Sequence, residues 1–180
     1  MTILICGLGS IGKRHFRLLR NAGVEKIIAL RSGKNDKESI TDTIADLEIY
    51  DTEELAGHKI DGAVISNPTS LHIETAAELA RLGIPMLIEK PLGKDLAGAD
   101  ELLKIVKEKN LPVLMGYNLL YHPGITGIKD LINQDKIGKV ISAKAQFGTY
   151  MPDWHKDEDY KKSYSANASM GGGVVLTSIH

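Results

Sequence analysis

The sequence predicts an α/β protein in which a doubly wound parallel sheet is followed by the beginning of an α+β domain. Three observations carry this prediction. Short apolar runs alternate with helical patterns through the first two thirds of the 180 residues, which is typical of successive strand–helix–strand units. A glycine-rich turn joins the first run to the first helical pattern. The pattern changes after residue 120, so we place one domain in residues 1–120 and the start of an incomplete second domain in residues 121–180.

The strands are predicted from five short apolar runs that are rich in β-branched residues. Runs of this kind favour strands buried on both faces, as in a parallel sheet. They are Ile3–Cys6, Lys26–Leu30, Gly62–Ser66, Pro85–Ile88 and Pro112–Met115.

The helices between these runs are predicted from apolar stripes at helical spacing. The stripes consist of Ile11, His15, Leu18, Leu19 and Ala22 in the first helix, Ile73, Ala76, Ala77 and Ala80 in the second, and Leu96, Ala99, Leu103 and Val106 in the third. Thr69 or Ser70 is the expected N-cap of the second helix and Asp95 that of the third. Gly83 is expected to end the second helix.

The pattern beyond residue 120 is less regular. Lys139–Phe147 alternates partly between apolar and polar residues and predicts a longer strand. A polar and aromatic stretch follows over residues 151–170, and three glycines lead into a helix predicted to begin at Val174. We expect a chain that is cut short soon after its second domain begins.

Composition excludes several classes of protein. A hydrophobic content of 43%, a charged content of 25% and a net charge of −1 are those of an ordinary globular protein without a basic surface for nucleic acid. The single cysteine, Cys6, is expected to be a small apolar residue at the end of the first strand. We expect no membrane span, no signal peptide and no metal site, and we predict a cytoplasmic protein.

The glycine-rich turn has the pattern Gly7-x-Gly9-x-x-Gly12 between a predicted strand and a predicted helix. Its glycines permit a tight turn, close approach of a pyrophosphate and close packing of helix on strand. The following backbone, which includes Ser10 and Ile11, begins a helix whose free N–H groups favour phosphate. This context predicts a nucleotide site, and the alternative is a plain tight turn.

The residues that end the second strand decide which dinucleotide would bind. A carboxylate about 20 residues beyond the motif would accept a hydrogen bond from the ribose 2′-hydroxyl of NAD. This sequence instead has Arg31 and Ser32, which suit a 2′-phosphate. We therefore predict NADP in preference to NAD, and the alternative is that Arg31 stacks on the adenine.

Two segments follow strands at the edge of the sheet where ligands bind in such folds. Glu89-Lys90-Pro91 offers a lysine whose pKa desolvation would lower towards a range useful for acid–base chemistry. The alternative is a solvated loop lysine. The other segment contains Asn67, Pro68 and His72, and His72 alone is typical of an ordinary residue in the first turn of a helix.

Taken in order, these motifs resemble the Gfo/Idh/MocA oxidoreductases, the family of glucose–fructose oxidoreductase and inositol dehydrogenase. The resemblance rests on Gly-Leu-Gly-Ser-Ile-Gly-Lys-Arg-His, on Ile-Asp-Gly-Ala-Val-Ile-Ser-Asn-Pro-Thr-Ser-Leu-His and on Ile-Glu-Lys-Pro-Leu, which end at His15, His72 and Leu92. Met115–Asn118, the stretch from Asp153 to Ala166 and the glycines before His180 are also similar to the family.

The resemblance implies a Rossmann domain, an α+β domain that often mediates homo-oligomers, and reversible hydride transfer between nicotinamide and a carbinol carbon. The implied substrate is a sugar, sugar nucleotide or cyclitol. Lys90 and His180 are the implied catalytic residues. The resemblance places Gly7, Gly9, Gly12, Asn67, Pro68, His72 and Glu89 along the nucleotide. Together with Ser10, Ile11, Arg31, Ser32 and Lys90, they are the predicted cofactor-binding residues. The implied substrate side comprises Tyr117, Asn118, Trp154, Tyr160, Tyr164 and Thr177, although the aromatic residues of residues 151–170 would equally form a cluster that packs a long loop.

The sequence departs from the family pattern at two places. An aspartate usually precedes the histidine that matches His180 by three or four residues, and Thr177 and Leu176 stand there instead. An arginine common after the segment Gly-Tyr-Asn is replaced by Leu119 and Leu120. The alternative function is therefore a non-catalytic NAD(P)-binding sensor or an inactive, truncated homologue.

Overall fold

A computed structural model describes residues 1–31, 45–148, 150 and 159–178. A six-stranded parallel sheet lies at its centre, in the order β3-β2-β1-β4-β5-β6. The strands are β1 (Thr2–Cys6), β2 (Lys26–Leu30), β3 (Leu47–Ile49), β4 (Gly62–Ile65), β5 (Met86–Ile88) and β6 (Val113–Met115). The helices are α1 (Ser10–Asn21), α2 (His72–Arg81), α3 (Ala99–Glu108), α4 (Pro123–Asn133) and α5 (Val174–Ser178). The order reverses between β1 and β4, which is where doubly wound sheets bind ligands.

The structure confirms the five predicted strands and adds β3, which the sequence did not reveal. β3 is three residues long, and its middle residue is Glu48, which pairs in register with Ala29 of β2. A short edge strand with a charged residue at its centre carries no apolar run, because only one of its sides is paired within the sheet.

The predicted stripe of α1 is wrong in part. Leu19 packs against the core as predicted, but the stripe is not the most buried side of the helix. Gly12 and Phe16 are the buried residues of this helix, whereas Ile11 and Leu18 are exposed. The reason is the contact of Gly12 with the turn, since a Cβ at Gly12 would lie 2.0 Å from the Gly7 carbonyl oxygen. This contact turns the Gly12 face of the helix inward.

The predicted stripe of α2 is confirmed, because all four of its apolar residues are buried. Gly83 follows the helix with a φ of +76°, as a residue that ends a helix commonly does. The expected N-cap is wrong. Thr69–Leu71 forms a 3₁₀ turn ahead of the helix, and no side chain caps it.

The predicted stripe of α3 is also wrong in part, although Val106 packs against the core as predicted. Leu102 is the buried residue, and both Leu96 and Leu103 are exposed. The helix begins later than expected, after Gly98 in the left-handed conformation with a φ of +80°. Asp95 accepts a hydrogen bond from the Ala97 N–H and therefore caps the preceding turn rather than the helix.

The core is divided between the two faces of the sheet. The larger cluster includes Leu4, Ile28 and Ile65, and the smaller one includes Ile5 and Phe16. Cys6 lies in the larger cluster, and burial, with a lesser contribution from the charge of Glu78, raises the pKa of its thiol to about 12. The expectation of a small apolar residue at this position is confirmed.

The chain after β6 forms a 3₁₀ turn at Asn118–Tyr121 and then α4. The predicted strand over Lys139–Phe147 is wrong, because these residues pair with no strand and Ile141 is 95% exposed. A strand needs a neighbour to satisfy its backbone groups, and none of the six described strands offers one here. The helix predicted from Val174 is confirmed as α5. No helix within the described ranges is long and apolar enough to cross a membrane.

Candidate functional site

The glycine-rich turn is packed tightly on the protein side and open on the other. Gly7 has a φ of +88°, and a Cβ there would lie 2.7 Å from Asn67 Cα. Its N–H donates to the Leu30 carbonyl over 2.9 Å. A Cβ added at Gly9, by contrast, would meet nothing within 4 Å. The turn thus leaves room for a ligand directly over Gly9.

The N-terminus of α1 faces this open space. Gly9 precedes the helix in an extended conformation, no side chain caps it, and the first turn contains no acidic residue. The first N–H groups of a helix have no partner within it and attract anions. Ser10 and Ile11 supply two of them, so the start of α1 has the properties of a phosphate site.

Arg31 follows β2 next to this turn and is paired with a residue that the sequence did not single out. Its Nη1 donates to Glu48 Oε1 over 2.8 Å, and the side chains are 11% and 15% exposed. No sequence pattern points to Glu48, because it lies in β3, which has no apolar run. Ser32 lies outside the described residues.

The segment after β4 contacts the glycine turn. Ser66 Oγ donates to the Gly7 carbonyl over 2.9 Å, and Asn67 Nδ2 donates to Thr75 Oγ1 over 2.9 Å. Asn67 Oδ1 is buried and accepts no hydrogen bond within the described part of the chain. Such an unsatisfied buried acceptor is unusual and is commonly explained by a missing ligand or water.

His72 connects this segment to the segment after β5. Its side chain is 2% exposed. Nδ1 lies 2.8 Å from the Pro91 carbonyl oxygen and Nε2 lies 2.9 Å from that of Asn67. The ring therefore joins the loop after β4, at Asn67 and the following Pro68, to the loop after β5, at Pro91. His72 opens α2, but it is more than an ordinary helix residue because it bridges two loops.

Glu89 connects the segment after β5 to α1. His15 Nε2 donates to Glu89 Oε1 over 2.7 Å, and the Lys90 N–H donates to Glu89 Oε2 over 3.3 Å. Burial opposes ionisation of Glu89, but the hydrogen bond and charge of His15, aided by Lys90, outweigh it and lower the pKa of the carboxyl. The carboxylate is thus held ionised beside Lys90.

Lys90 extends from the end of β5 to α5. Its Nζ donates to the Thr177 carbonyl over 2.8 Å. Burial lowers the pKa of the ammonium, and the charge of Glu89 partly opposes this effect. A half-buried lysine with a lowered pKa is suited to donating and accepting protons.

The segment 159–178 contacts the loop after β4 through Thr69 and the loop after β5 through Lys90. Tyr164 Oη and Thr69 Oγ1 are hydrogen bonded, and Gly171 packs against Thr69. Tyr160 contacts its own segment, where the Lys161 ammonium lies 5.9 Å from its ring centroid. Trp154 and His180 lie outside the described residues.

Tyr117 and Asn118 follow β6 at the same edge of the sheet. The preceding Gly116 packs on Glu89, since a Cβ there would lie 3.0 Å from Glu89 Oε2. Asn118 opens the 3₁₀ turn and is exposed.

The structure therefore brings the glycine turn, His72, Glu89, Lys90 and the Thr177 carbonyl together at one edge of the sheet, while Tyr160 packs within its own segment.

This edge fits a dinucleotide. The turn is open at Gly9, and the first turn of α1 contains no acidic residue. The buried Asn67 Oδ1 accepts no hydrogen bond from the described residues and could accept one from a ligand. Gly7, Gly9 and the first turn of α1 would hold the pyrophosphate. Among the residues that the structure describes, no cluster of His, Cys, Asp or Glu could hold a metal ion.

Comparison with known proteins agrees with this geometry. The model of a family described as oxidoreductases with an NAD-binding Rossmann fold, GFO_IDH_MocA, matches residues 1–117. Levoglucosan dehydrogenase of Pseudarthrobacter phenanthrenivorans is 30% identical over 122 residues, which cover 68% of this chain and 30% of that protein. Myo-inositol dehydrogenase Hyg17 of Streptomyces leeuwenhoekii is 26% identical over 145 residues, which cover 78% and 43%.

A solved structure has the same fold. The crystal structure of myo-inositol 2-dehydrogenase from Lactobacillus plantarum superposes with a TM-score of 0.69 and 28% identity, over 78% of this chain and 43% of that one. The chain thus spans less than half the length of these relatives. Because the family model covers more than half of the chain and the fold and glycine turn agree with it, this chain belongs to the Gfo/Idh/MocA oxidoreductase family with an NAD-binding Rossmann fold.

Proposed function

We propose that the protein transfers a hydride between a nicotinamide dinucleotide and a carbinol carbon of a sugar, sugar nucleotide or cyclitol. The observation that carries this proposal is the placement of Lys90, with its lowered pKa, at the same sheet edge as the open glycine turn. Names of similar proteins support the substrate class, since they include dehydrogenases of levoglucosan and myo-inositol and a reductase of a dTDP-linked sugar.

The dinucleotide would lie across the ends of β1 and β4. Gly7, Gly9, Ser10, Ile11 and Gly12 would bind the pyrophosphate. Arg31, with Ser32, would bind a 2′-phosphate, and NADP therefore remains our preferred cofactor over NAD. Towards the other end, Asn67, Pro68, His72, Glu89 and Lys90 would line the nicotinamide half.

The nicotinamide supplies or accepts the hydride when it is bound. Lys90 Nζ would exchange the proton of the substrate hydroxyl, because a lysine with a lowered pKa is readily available in both protonation states. Glu89 keeps the backbone of Lys90 in place through its hydrogen bond to the Lys90 N–H. His180 would assist Lys90, and the candidates for contact with the substrate are Tyr117, Asn118, Trp154, Tyr160, Tyr164 and Thr177.

Three further proposals concern the whole protein. Residues 121–180 would begin a second, α+β domain, and the hydrogen bonds from segment 159–178 to Thr69 and Lys90 support its place over the site. The full-length protein would form homo-oligomers, as the resemblance implies. The protein would act in the cytoplasm.

A non-catalytic NAD(P)-binding sensor is the second candidate. It is favoured by Thr177 and Leu176, which stand where the family usually has an aspartate before the histidine. A sensor would bind the dinucleotide through the same turn and would leave carbonyl substrates unreduced.

A binding titration and a turnover assay separate the two candidates. We expect the chain to bind NADP and NAD in side-by-side titrations, and the protein that contains it to oxidise NADPH with a panel of oxidised sugars and inososes. Loss of the amine in Lys90→Met should lower turnover at least about a hundredfold and leave dinucleotide affinity little changed. Binding without turnover would support the sensor. Unchanged turnover in Lys90→Met would exclude the proposed role of Lys90.

A further inference from the structure

We propose that Glu48 sets how strongly this site prefers NADP over NAD, by competing with the 2′-phosphate for Arg31. The inference rests on the proposed function, because it concerns the adenosine end of the same dinucleotide site. It gives a role to a residue on the edge strand β3 that no motif of the sequence reveals.

Backbone contacts place Arg31 between the glycine turn and β3. Leu30 accepts a hydrogen bond from the Gly7 N–H, and the Arg31 N–H donates to the Ile49 carbonyl over 2.9 Å. The glycine turn and β3 are therefore both joined by backbone hydrogen bonds to the end of the β2 segment, at Leu30 and Arg31. Arg31 thus follows the end of β2, which is where folds of this class bind the adenosine ribose.

The side chain of Arg31 is held by Glu48. Its Nη1 donates to Glu48 Oε1 over 2.8 Å, and the two side chains are largely shielded from water. The Tyr50 hydroxyl donates to the other oxygen of Glu48 over 3.3 Å. Glu48 is thus oriented from the far side, and its carboxylate already accepts a hydrogen bond from Nη1, one of the groups through which an arginine binds a phosphate.

A 2′-phosphate and a 2′-hydroxyl respond differently to this pair. The phosphate must share or displace the carboxylate, and it is repelled by the charge of Glu48 in a shielded environment. The hydroxyl of NAD carries no charge and can donate a hydrogen bond to a carboxylate. Glu48 therefore reduces the preference for NADP that Arg31 alone would give, because specificity is a difference between two affinities.

The test is the ratio of the two dissociation constants in Glu48→Gln, measured by titration of the purified protein. Glutamine keeps the size of the side chain and removes its charge. We expect the dissociation constant for NADP to fall about tenfold, while that for NAD stays within about twofold. Glu25→Gln is the control, since it removes the same charge from an exposed side chain just before the other end of β2.

A second background tests whether Glu48 acts through Arg31. In Arg31→Met, which removes the guanidinium, the change Glu48→Gln should leave the ratio unaltered. Glu48→Asp keeps the charge on a shorter side chain and should give a smaller shift in the same direction, so the inference can be tested even if Glu48→Gln folds poorly.

Three outcomes would overturn the inference. One is an unchanged ratio in Glu48→Gln and Glu48→Asp, and another is an equal gain for both dinucleotides. The third is a shift that persists in Arg31→Met. Each of these outcomes leaves dinucleotide binding by the unsubstituted protein intact and therefore removes the inference alone. If the unsubstituted protein binds neither dinucleotide, the proposed function itself fails.

Discussion

At the scale of the residue, burial and a neighbouring charge have opposite effects on the pKa of Lys90. Partial burial lowers the pKa of the ammonium, while the carboxylate of Glu89 next to it in the chain raises it. Glu89 is itself kept ionised by His15, which belongs to α1. The helix that follows the glycine turn is thus linked through the His15–Glu89 pair to Lys90, the residue for which we propose proton transfer.

This balance predicts the pH dependence of substrate oxidation. Lys90 must be neutral to accept a proton from a hydroxyl, so the rate rises with pH through its pKa, which lies below the ordinary 10.5. Glu89→Gln removes the charge that stabilises the ammonium and should move this rise to still lower pH. The measurement is a profile of kcat/KM against pH for the oxidation direction.

The control for this profile is Glu108→Gln, which removes a charge from the exposed end of α3 and should leave the profile unmoved. A rise that stays in place, or that moves to higher pH, in Glu89→Gln would contradict the assignment of Lys90 as the titrating group.

At the scale of the element, two glycines of the glycine-rich turn have different surroundings: Gly12 is tightly packed and Gly9 is open. Gly12 is needed by the protein, because a Cβ there would lie 2.0 Å from the Gly7 carbonyl oxygen. The fold itself does not require a glycine at position 9, because a Cβ there would meet nothing within 4 Å and its φ of −63° suits any residue. The two positions form a matched pair for the same substitution.

We expect Gly9→Ala to fold normally and to lose at least about tenfold in dinucleotide affinity, since its methyl group would occupy the approach of the pyrophosphate. Gly12→Ala should instead lower the free energy of unfolding by about 2 kcal/mol, as expected for overpacking at a close contact. Thermal unfolding and dinucleotide titration of both variants provide the measurement. Unchanged affinity in Gly9→Ala would place the ligand elsewhere.

The elements also show what sequence could and could not predict. The parallel sheet followed from β-branched runs such as Lys26–Leu30, because strands buried on both faces must be apolar throughout. The side of the helix that faces the sheet followed for α2, whose predicted stripe is buried, but only in part for α1 and α3. In α1, the contact between Gly7 and Gly12 sets the rotation of the helix about its own axis. In α3, Gly98 in the left-handed conformation makes the helix begin later than predicted.

Contacts between distant segments were equally hidden from sequence. The residues of the glycine turn and Lys90 could be singled out because their spacing and order are those of a known family. The partners of Arg31 and His72 could not. Glu48 reaches Arg31 only because β3 pairs with β2, and the two carbonyls that His72 contacts belong to loops 5 and 19 residues away.

At the scale of the whole molecule, two apolar surfaces lie open within the described ranges. One is a groove of about 220 Å³ on a face of the sheet, lined by residues that include Ile3, Leu87 and Leu114. The other is the apolar side of α4, where Ile128 and Leu131 are about half exposed. Exposed apolar surfaces of this kind favour association between protein chains.

We therefore expect the 180-residue chain to self-associate with rising concentration, as measured by sedimentation velocity over a wide concentration range. Replacing apolar side chains on α4 in Ile128→Lys and Leu131→Lys together should shift the chain towards the monomer, because the charged side chains resist burial. Asn133→Lys is the control, since it adds a charge to the same helix without removing apolar surface. A chain that stays monomeric at every concentration would contradict the prediction. Equal association of the α4 variant and the Asn133→Lys control would show that α4 does not drive the contact and would leave the sheet groove as the surface to test with Leu114→Lys.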